Sequence, residues 1–473
     1  MLSAFALAQP LFDILGKNAE FFAVRGSTAS EIVLFALAVT FVPALALLAL
    51  ELVVFACDER AGLALHVLFV VGLTAVFAVQ ALQRAGLDGT LPLVAGSLAS
   101  GAAAGLAFLR FRLFRTFLAV LAPAPLVFLA AFLFGSPVRD LVFASDVEIE
   151  LARIRADAPV VFVVFDELPE ISLLDGSDRV DEGRFPNFAR LARDATWFRN
   201  ATTLSSSTTA AVPSLLSSDW PWPRRLPVVQ NHPHNLFTLL GGRYHMNVTE
   251  SQTRLCPSEL CERASPGETT RLESLYSDAR IVYFHLLAPP ALEDRLPSID
   301  DAWGNFGDAG GGTGAGAKTA LPKGEGETFY AGRVRDFNRF LRSLEPRRGG
   351  RPTLNFLHVL LPHGPWLLFP DGRASRVGSD RAPGREGELW WDSDLALQAW
   401  QRHLLQLGYT DRLLGRLLAR LRRTGMYRRS LVVVTADHGI SFRGGDKRRE
   451  PTRTNLAELA FIPLFVKAPG QEE

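Results

Sequence analysis

The stretch PVVFVVFDELP, residues 159–169, decides the fold. Its run Val160–Phe165 is continuously apolar and mostly β-branched, the composition of a strand buried on both faces. It stops abruptly on two acids, Asp166-Glu167. Two more apolar runs of strand length lie downstream, Leu354–Leu361 and Leu431–Thr435. The first of these passes through His358 into Pro362-His363-Gly364-Pro365, and the second ends in Ala436-Asp437-His438-Gly439. Between the strands, the stretch from Phe185 to Arg193 has a proline near a helix start and apolar residues at helical spacing. Residues 393–423 show a helical period rich in Leu and Arg. Alternating strands and helices predict a largely parallel sheet covered on both faces. In such sheets ligands bind beyond the carboxyl ends of the strands. Three strands therefore deliver carboxylates and imidazoles toward one edge, a donor set that suits zinc or manganese. His358 alone is ambiguous: inside an apolar run it reads equally as a satisfied core histidine.

Upstream of this domain the composition changes. Residues from about 31 to 137 are almost wholly apolar. Four stretches there, Glu31–Ala56, Ala61–Leu82, Leu91–Leu109 and Phe114–Phe134, reach the roughly 20 residues needed to cross a bilayer. They lack the polar face of a soluble bundle helix. Residues 1–25 are amphipathic and carry Asp13, Lys17 and Glu20, which predicts a helix lying in the membrane interface instead of a cleaved leader. The basic connection Arg110-Phe-Arg-Leu-Phe-Arg115 is expected on the cytoplasmic side, which puts the C-terminal domain outside; Lys17 and Arg25 pull the other way. Cys256 and Cys261, close together in a polar loop, read as a disulfide of an exported domain, with two free thiols as the alternative. The glycine-rich stretch 304–327 reads as a flexible surface loop; Lys318 does not have the spacing of a nucleotide-binding loop. A formal net charge of +1 gives no electrostatic case for nucleic acid as a partner.

A metal-bound site needs a nucleophile. Ser205-Ser-Ser-Thr208-Thr209-Ala-Ala-Val-Pro213 precedes an apolar helical segment, the signature of a helix N-terminus. Capping alone would account for those hydroxyls. The same geometry would also favour a bound phosphate or sulfate, and metal coordination would turn a hydroxyl there into a nucleophile.

The motifs VVFVVFDELP, FPNFARLARDATWFRNATT, STTAAVPSLLS, FLHVLLPHGPW, TADHG and IPLFVKAPG, in this order over roughly residues 158–470, resemble the sulfatase branch of the alkaline phosphatase superfamily. The likeness is to its membrane-anchored members, the lipoteichoic acid synthases and lipid A phosphoethanolamine transferases. It implies an α-helical membrane domain over 1–150, followed over 151–473 by an α/β alkaline phosphatase-like domain with a largely parallel central sheet. It also implies one divalent metal ion (Zn, Mn or Mg) held by Asp166, Thr208, Asp437 and His438. Thr208 matches the nucleophile, with Thr209 in reserve. His363 matches a histidine that contacts substrate or a second metal, and His358 the substrate-side histidine just before it. The implied activity is transfer or hydrolysis at phosphate or sulfate esters, with a lipid or cell-envelope glycan as substrate, in the cell membrane with the catalytic domain extracytoplasmic. The alternatives are a hydrolase that uses water and a catalytically silent binding module of the same fold. Two departures stand out. No arginine follows Pro213 as the formylglycine motif of true sulfatases requires, and Glu450 stands where the transferases carry a further histidine, about twelve residues beyond the Asp-His pair. The chain ends soon after Lys467-Ala-Pro-Gly, where many relatives continue.

Overall fold

Each apolar run forms the strand its composition predicts, with small extensions: β1 is Val160–Asp166, and the two downstream runs become Arg351–Pro362 and Leu431–Ala436. The computed structural model describes all residues except 88, 145–150, 153, 224, 262–267, 290–291, 293–295, 297–298, 300–325, 376–383 and 472–473; for 268–270, 326–331 and 386 it describes the backbone alone. The glycine-rich stretch therefore lies outside the described residues up to 325, and a helix runs from Gly326 to Ser343.

The chain divides into two units, residues 1–145 with 266–310 and residues 146–265 with 311–473. The segment 266–310, which the sequence reading left within the 151–473 domain, thus clusters with the N-terminal unit. In that unit four helical stretches are long and apolar enough to cross a membrane: Ala29–Cys57, Glu59–Arg84, Thr90–Arg110 and Arg112–Gly135. Their outward side chains are large hydrophobics such as Val42, Leu52, Leu98 and Leu126, which suits acyl chains as solvent. Ser97, Gly101 and Gly105 form a buried stripe on the third span. A Cβ at either glycine would collide with Val71 of the second span, so the missing side chains let the two backbones approach closely.

The segment read as an interfacial helix does something else. It folds into a π turn, Ala4–Ala8, and two helices, Gln9–Lys17 and Glu20–Arg25. Its apolar face, including Leu11, Phe12, Leu15, Phe21 and Phe22, is buried against protein. Phe12 stacks on Phe132 at 4.5 Å between centroids, and Phe5 meets Phe77 and Phe128 edge-on. The helix Glu268–Leu287 belongs to the same unit: Tyr283 donates to the Ala6 carbonyl, Arg25 pairs with Asp278, and Arg271 with Glu31. These buried charges are tolerable because each has its counter-charge.

The second unit is built on a seven-stranded mixed sheet. Its other strands are β2 (Thr196–Trp197), β3 (His245–Thr249), β4 (Arg347–Arg348), β5 (Arg351–Pro362), β6 (Leu431–Ala436) and β7 (Leu464–Lys467). The order is β2-β7-β6-β1-β5-β3, with β4 hairpinned onto β5. The four neighbouring strands β6, β1, β5 and β3 are parallel, with β3 at one edge; toward the other edge β7 pairs antiparallel with both β6 and β2. One face, with Val161, Val163, Phe165, Leu357, Val432 and Val434, packs on the helices Pro186–Asp194 and Ser393–Arg423. The other, with Val164, Leu354 and Phe356, packs on Val212 and Leu216 of the helix Thr208–Ser217 and on Phe237. Cys256 and Cys261 are joined in a disulfide inside this second cluster.

Candidate active site and metal centre

Strand parity assembles the site. In the parallel register Val164 of β1 lies beside His358 of β5 and Thr435 of β6, so these side chains point to the same face. Two residues further on, Asp166 and Asp437 point to that face again. The row Leu354, Phe356, His358 on β5 thus begins as core and ends on a candidate donor. The helix Thr208–Ser217 packs on this same face through Val212 and Leu216, and its N-terminus brings Thr208 to the cluster.

The distances among Thr208, Asp166, His438 and Asp437 fit donors to one shared ion, with His358 slightly further off. Thr208 Oγ1 lies 3.5 Å from Asp166 Oδ1 and 3.2 Å from His438 Nε2. His438 Nε2 is 3.5 Å from Asp437 Oδ2, and His358 Nε2 is 3.9 Å from both Asp166 Oδ2 and Asp437 Oδ2. Donors around a tetrahedral ion, at about 2.0–2.2 Å each, stand roughly 3.3–3.6 Å apart. One atom from each of Asp166, His358 and Asp437 falls within 4.8 Å of the others. Both ring nitrogens of His358 and Oδ2 of Asp437 are buried with no hydrogen-bond partner. Unpaired buried polar atoms on this scale are costly, and a cation would satisfy Asp437 Oδ2 and one of the two His358 ring nitrogens. The residues present therefore fit a divalent ion. His358, read from sequence as a substrate-side residue or core histidine, stands among the candidate donors.

Electrostatics point the same way. Burial first, and then the charge of Asp437, push the Asp166 carboxyl up to about 6. Burial pushes Asp437 up to about 7, against the amides of His438 and Glu167, which donate to its Oδ1. His358 is driven down to about 3, mainly by burial and then by His438. Two carboxylates this close cannot both stay ionised unless a positive charge joins them.

Tautomers follow from local bonds. His438 Nδ1 meets the Gly439 carbonyl at 2.8 Å, so its proton sits there and the Nε2 lone pair faces Thr208. His363 repeats the arrangement, with Nδ1 on the Gly364 carbonyl at 2.7 Å, but its Nε2 faces Arg449 Nη2 at 2.7 Å. Thr209, the reserve choice, turns its hydroxyl to Ser207 Oγ at 3.2 Å instead. Ser207 makes no side-chain cap bond to the helix, so capping does not account for the hydroxyl cluster.

Two participants went unassigned in the sequence. Glu167 is fully buried with φ +55°, a strained conformation for a residue with a Cβ, of the kind that gathers at functional sites. Burial opposes its charge, but Arg449 and then His363 overcome this and hold its carboxyl well below the usual value. The acid doublet after β1 was the available signal. Arg449 is the other; by sequence it belongs to the basic run Arg443, Lys447, Arg448, Arg449, which reads as a solvated loop or as charge that neutralises an anionic substrate. Glu450 turns outward to pair with Lys447.

Residues 159–473 match the family model described as Sulfatase. No curated protein matches the chain. Among solved structures it is similar to the phosphonate monoester hydrolase SpPMH from Silicibacter pomeroyi, at 17% identity and TM-score 0.40 over 66% of this chain and 68% of that one. It is also similar to the phosphonate monoester hydrolase of Agrobacterium radiobacter (15%, 0.38, 66% and 68%). A third is the C-terminal periplasmic domain of EptC from Escherichia coli in complex with Zn (14%, 0.38, 68% and 78%). With the family model covering the whole sheet and every strand end of the site, the chain belongs to the Sulfatase family.

Proposed function

We propose that this is a membrane-anchored, metal-dependent transferase that cleaves phosphate (or sulfate) esters through Thr208 and passes the group to a cell-envelope acceptor. The observation that carries the reading is the position of Thr208 Oγ1, on a helix N-terminus between Asp166 and His438. Asp166, Thr208, Asp437 and His438 would hold one divalent ion, with His358 beside them. Such an ion lowers the pKa of a bound hydroxyl and neutralises charge on a transferring group.

The remaining steps belong to the chain. Thr208 Oγ attacks phosphorus and gives up its proton, the ester P–O bond breaks, and the leaving alcohol departs with a proton. The phosphoryl group is then on Thr208 until an acceptor hydroxyl displaces it and frees the threonine. The free amides of the helix start, and its positive dipole end, favour the anion before and after transfer. His363, its ring fixed by the Gly364 carbonyl at Nδ1 and by Arg449 Nη2 at Nε2, would orient the leaving alcohol or the acceptor. The absence of an arginine after Pro213 argues against formylglycine chemistry. A lipid-borne or envelope-glycan substrate and an extracytoplasmic site agree with the four apolar helices and with a disulfide, which persists in oxidising compartments.

The test is Thr208→Ala in the full-length protein, assayed on labelled phospholipid with elemental analysis alongside. Turnover is expected to fall on the order of 10³-fold or more, with the ion retained by the remaining donors. Undiminished turnover would refute the nucleophile. Label appearing on an added acceptor identifies a transferase; label released to water identifies a hydrolase.

A further inference from the structure

We propose that Arg333 and Gln406, remote in sequence from every strand end of the site, are positioning residues that set where the His363 ring lies. The inference rests on the role given to His363 above. That ring sits on a bend at the end of β5, Pro362-His363-Gly364-Pro365. Two of the four residues are prolines, which bring no N–H. The Gly364 amide is turned to Glu167 Oε2, at 3.5 Å. The bend therefore has little of its own with which to satisfy its carbonyls, and buried carbonyls need partners.

Two long side chains supply them. Arg333, on the helix Gly326–Ser343, is 6% exposed. Its Nη1 donates to the carbonyls of Leu360 at 2.8 Å and His363 at 2.9 Å, and its Nη2 to that of Gly364 at 3.0 Å. The Gly364 oxygen also meets His363 Nδ1 at 2.7 Å, so guanidinium and imidazole share one atom. Gln406, fully buried on the helix Ser393–Arg423, donates from Nε2 to the carbonyls of Pro362 at 3.0 Å and His363 at 2.9 Å. Its Oε1 accepts from the amides of Leu367 at 3.1 Å and Leu368 at 3.2 Å. One amide group thus ties together the chain on either side of Gly364-Pro365. Both supports are themselves anchored, because Phe337, Phe340, Leu407 and Leu413 of the two helices lie in the core cluster under the sheet. A planar fork holds three carbonyls in fixed directions, which a lysine ammonium on its flexible stem does not. With Arg449 on its other nitrogen, the imidazole has no freedom unless the bend itself moves.

The experiment uses the full-length protein in detergent. Arg333→Lys keeps the charge without the fork, and Arg333→Ala leaves a space that free guanidinium ion fits. Carbethoxylation of histidines by diethyl pyrocarbonate, mapped on peptides by mass spectrometry, needs no substrate. His363 is expected to react roughly 10-fold faster in both variants, as when a local segment opens. His358 and His403, both fully buried, should stay protected, and millimolar guanidinium should slow His363 again in Arg333→Ala alone. On labelled phospholipid, kcat should fall up to about 100-fold with KM little changed, the pattern of a displaced reacting group. Arg333→Ala should then cost nothing further in a His363→Ala background, where there is no ring left to position. Unchanged His363 reactivity, equal loosening of His358 and His403, or losses that multiply in the double variant would overturn the proposal. A wild type without turnover would count against the transferase reading alone, and the labelling of His363 would still decide this one.

Discussion

At the scale of single residues, the titration of Asp166 and Asp437 makes the site pH-sensitive in a definite direction. In the metal-free fold these carboxyls keep protons up to about 6 and about 7, while in an unfolded chain they lose them near about 3.9. Between those values the folded state holds more protons than the unfolded one, so their contribution to stability shrinks as pH rises through that window. An entering cation must displace the same protons, so its affinity climbs with pH and levels off above about 7. The gap in melting temperature between metal-loaded and metal-free protein should therefore widen from about pH 5.5 to about pH 7.5. A gap independent of pH would mean that the two carboxylates do not share the ion. Asp166, Asp437 and His438 were legible in the sequence because each ends a strand. His358 was ambiguous there, a substrate-side or a core histidine, and the in-register pairing of Val164 with His358 shows which face of the sheet it lies on.

Among the elements, the helix Thr208–Ser217 matters most, because its packing sets where Thr208, the proposed nucleophile, sits. Val212 and Leu216 anchor it in a cluster that also contains the Cys256–Cys261 disulfide. The bond closes a short loop, with five residues of sequence separation, for which chain entropy gives roughly 2 kcal/mol. Replacing both cysteines with serine should lower the denaturation free energy by roughly that amount, measured by denaturant titration, and leave the metal content unchanged. A loss near zero would contradict a stabilising cross-link. The close cysteine pair was readable from spacing. The N-terminal segment was harder, since an apolar helix face states that something covers it and not what. Its cover comes from Phe77, Phe128 and Phe132 and from Tyr283 on the helix Glu268–Leu287, residues too distant in sequence for any local pattern to connect.

For the whole molecule, the four spans and the parallel core were plain from hydropathy and strand composition, because both depend on runs of like residues. The membership of 266–310 in the N-terminal unit was not, because it depends on pairs such as Arg25 with Asp278. The convergence of β1, β5, β6 and the Thr208 helix on one point is likewise a property of the complete fold. Anomalous diffraction from crystals of the full chain grown with zinc or manganese tests it directly. One peak is expected, within about 2.0–2.3 Å of Asp166, Thr208, Asp437 and His438. A peak bound elsewhere, or one beyond bonding reach of the Thr208 hydroxyl, would contradict a cation clamped against that alcohol.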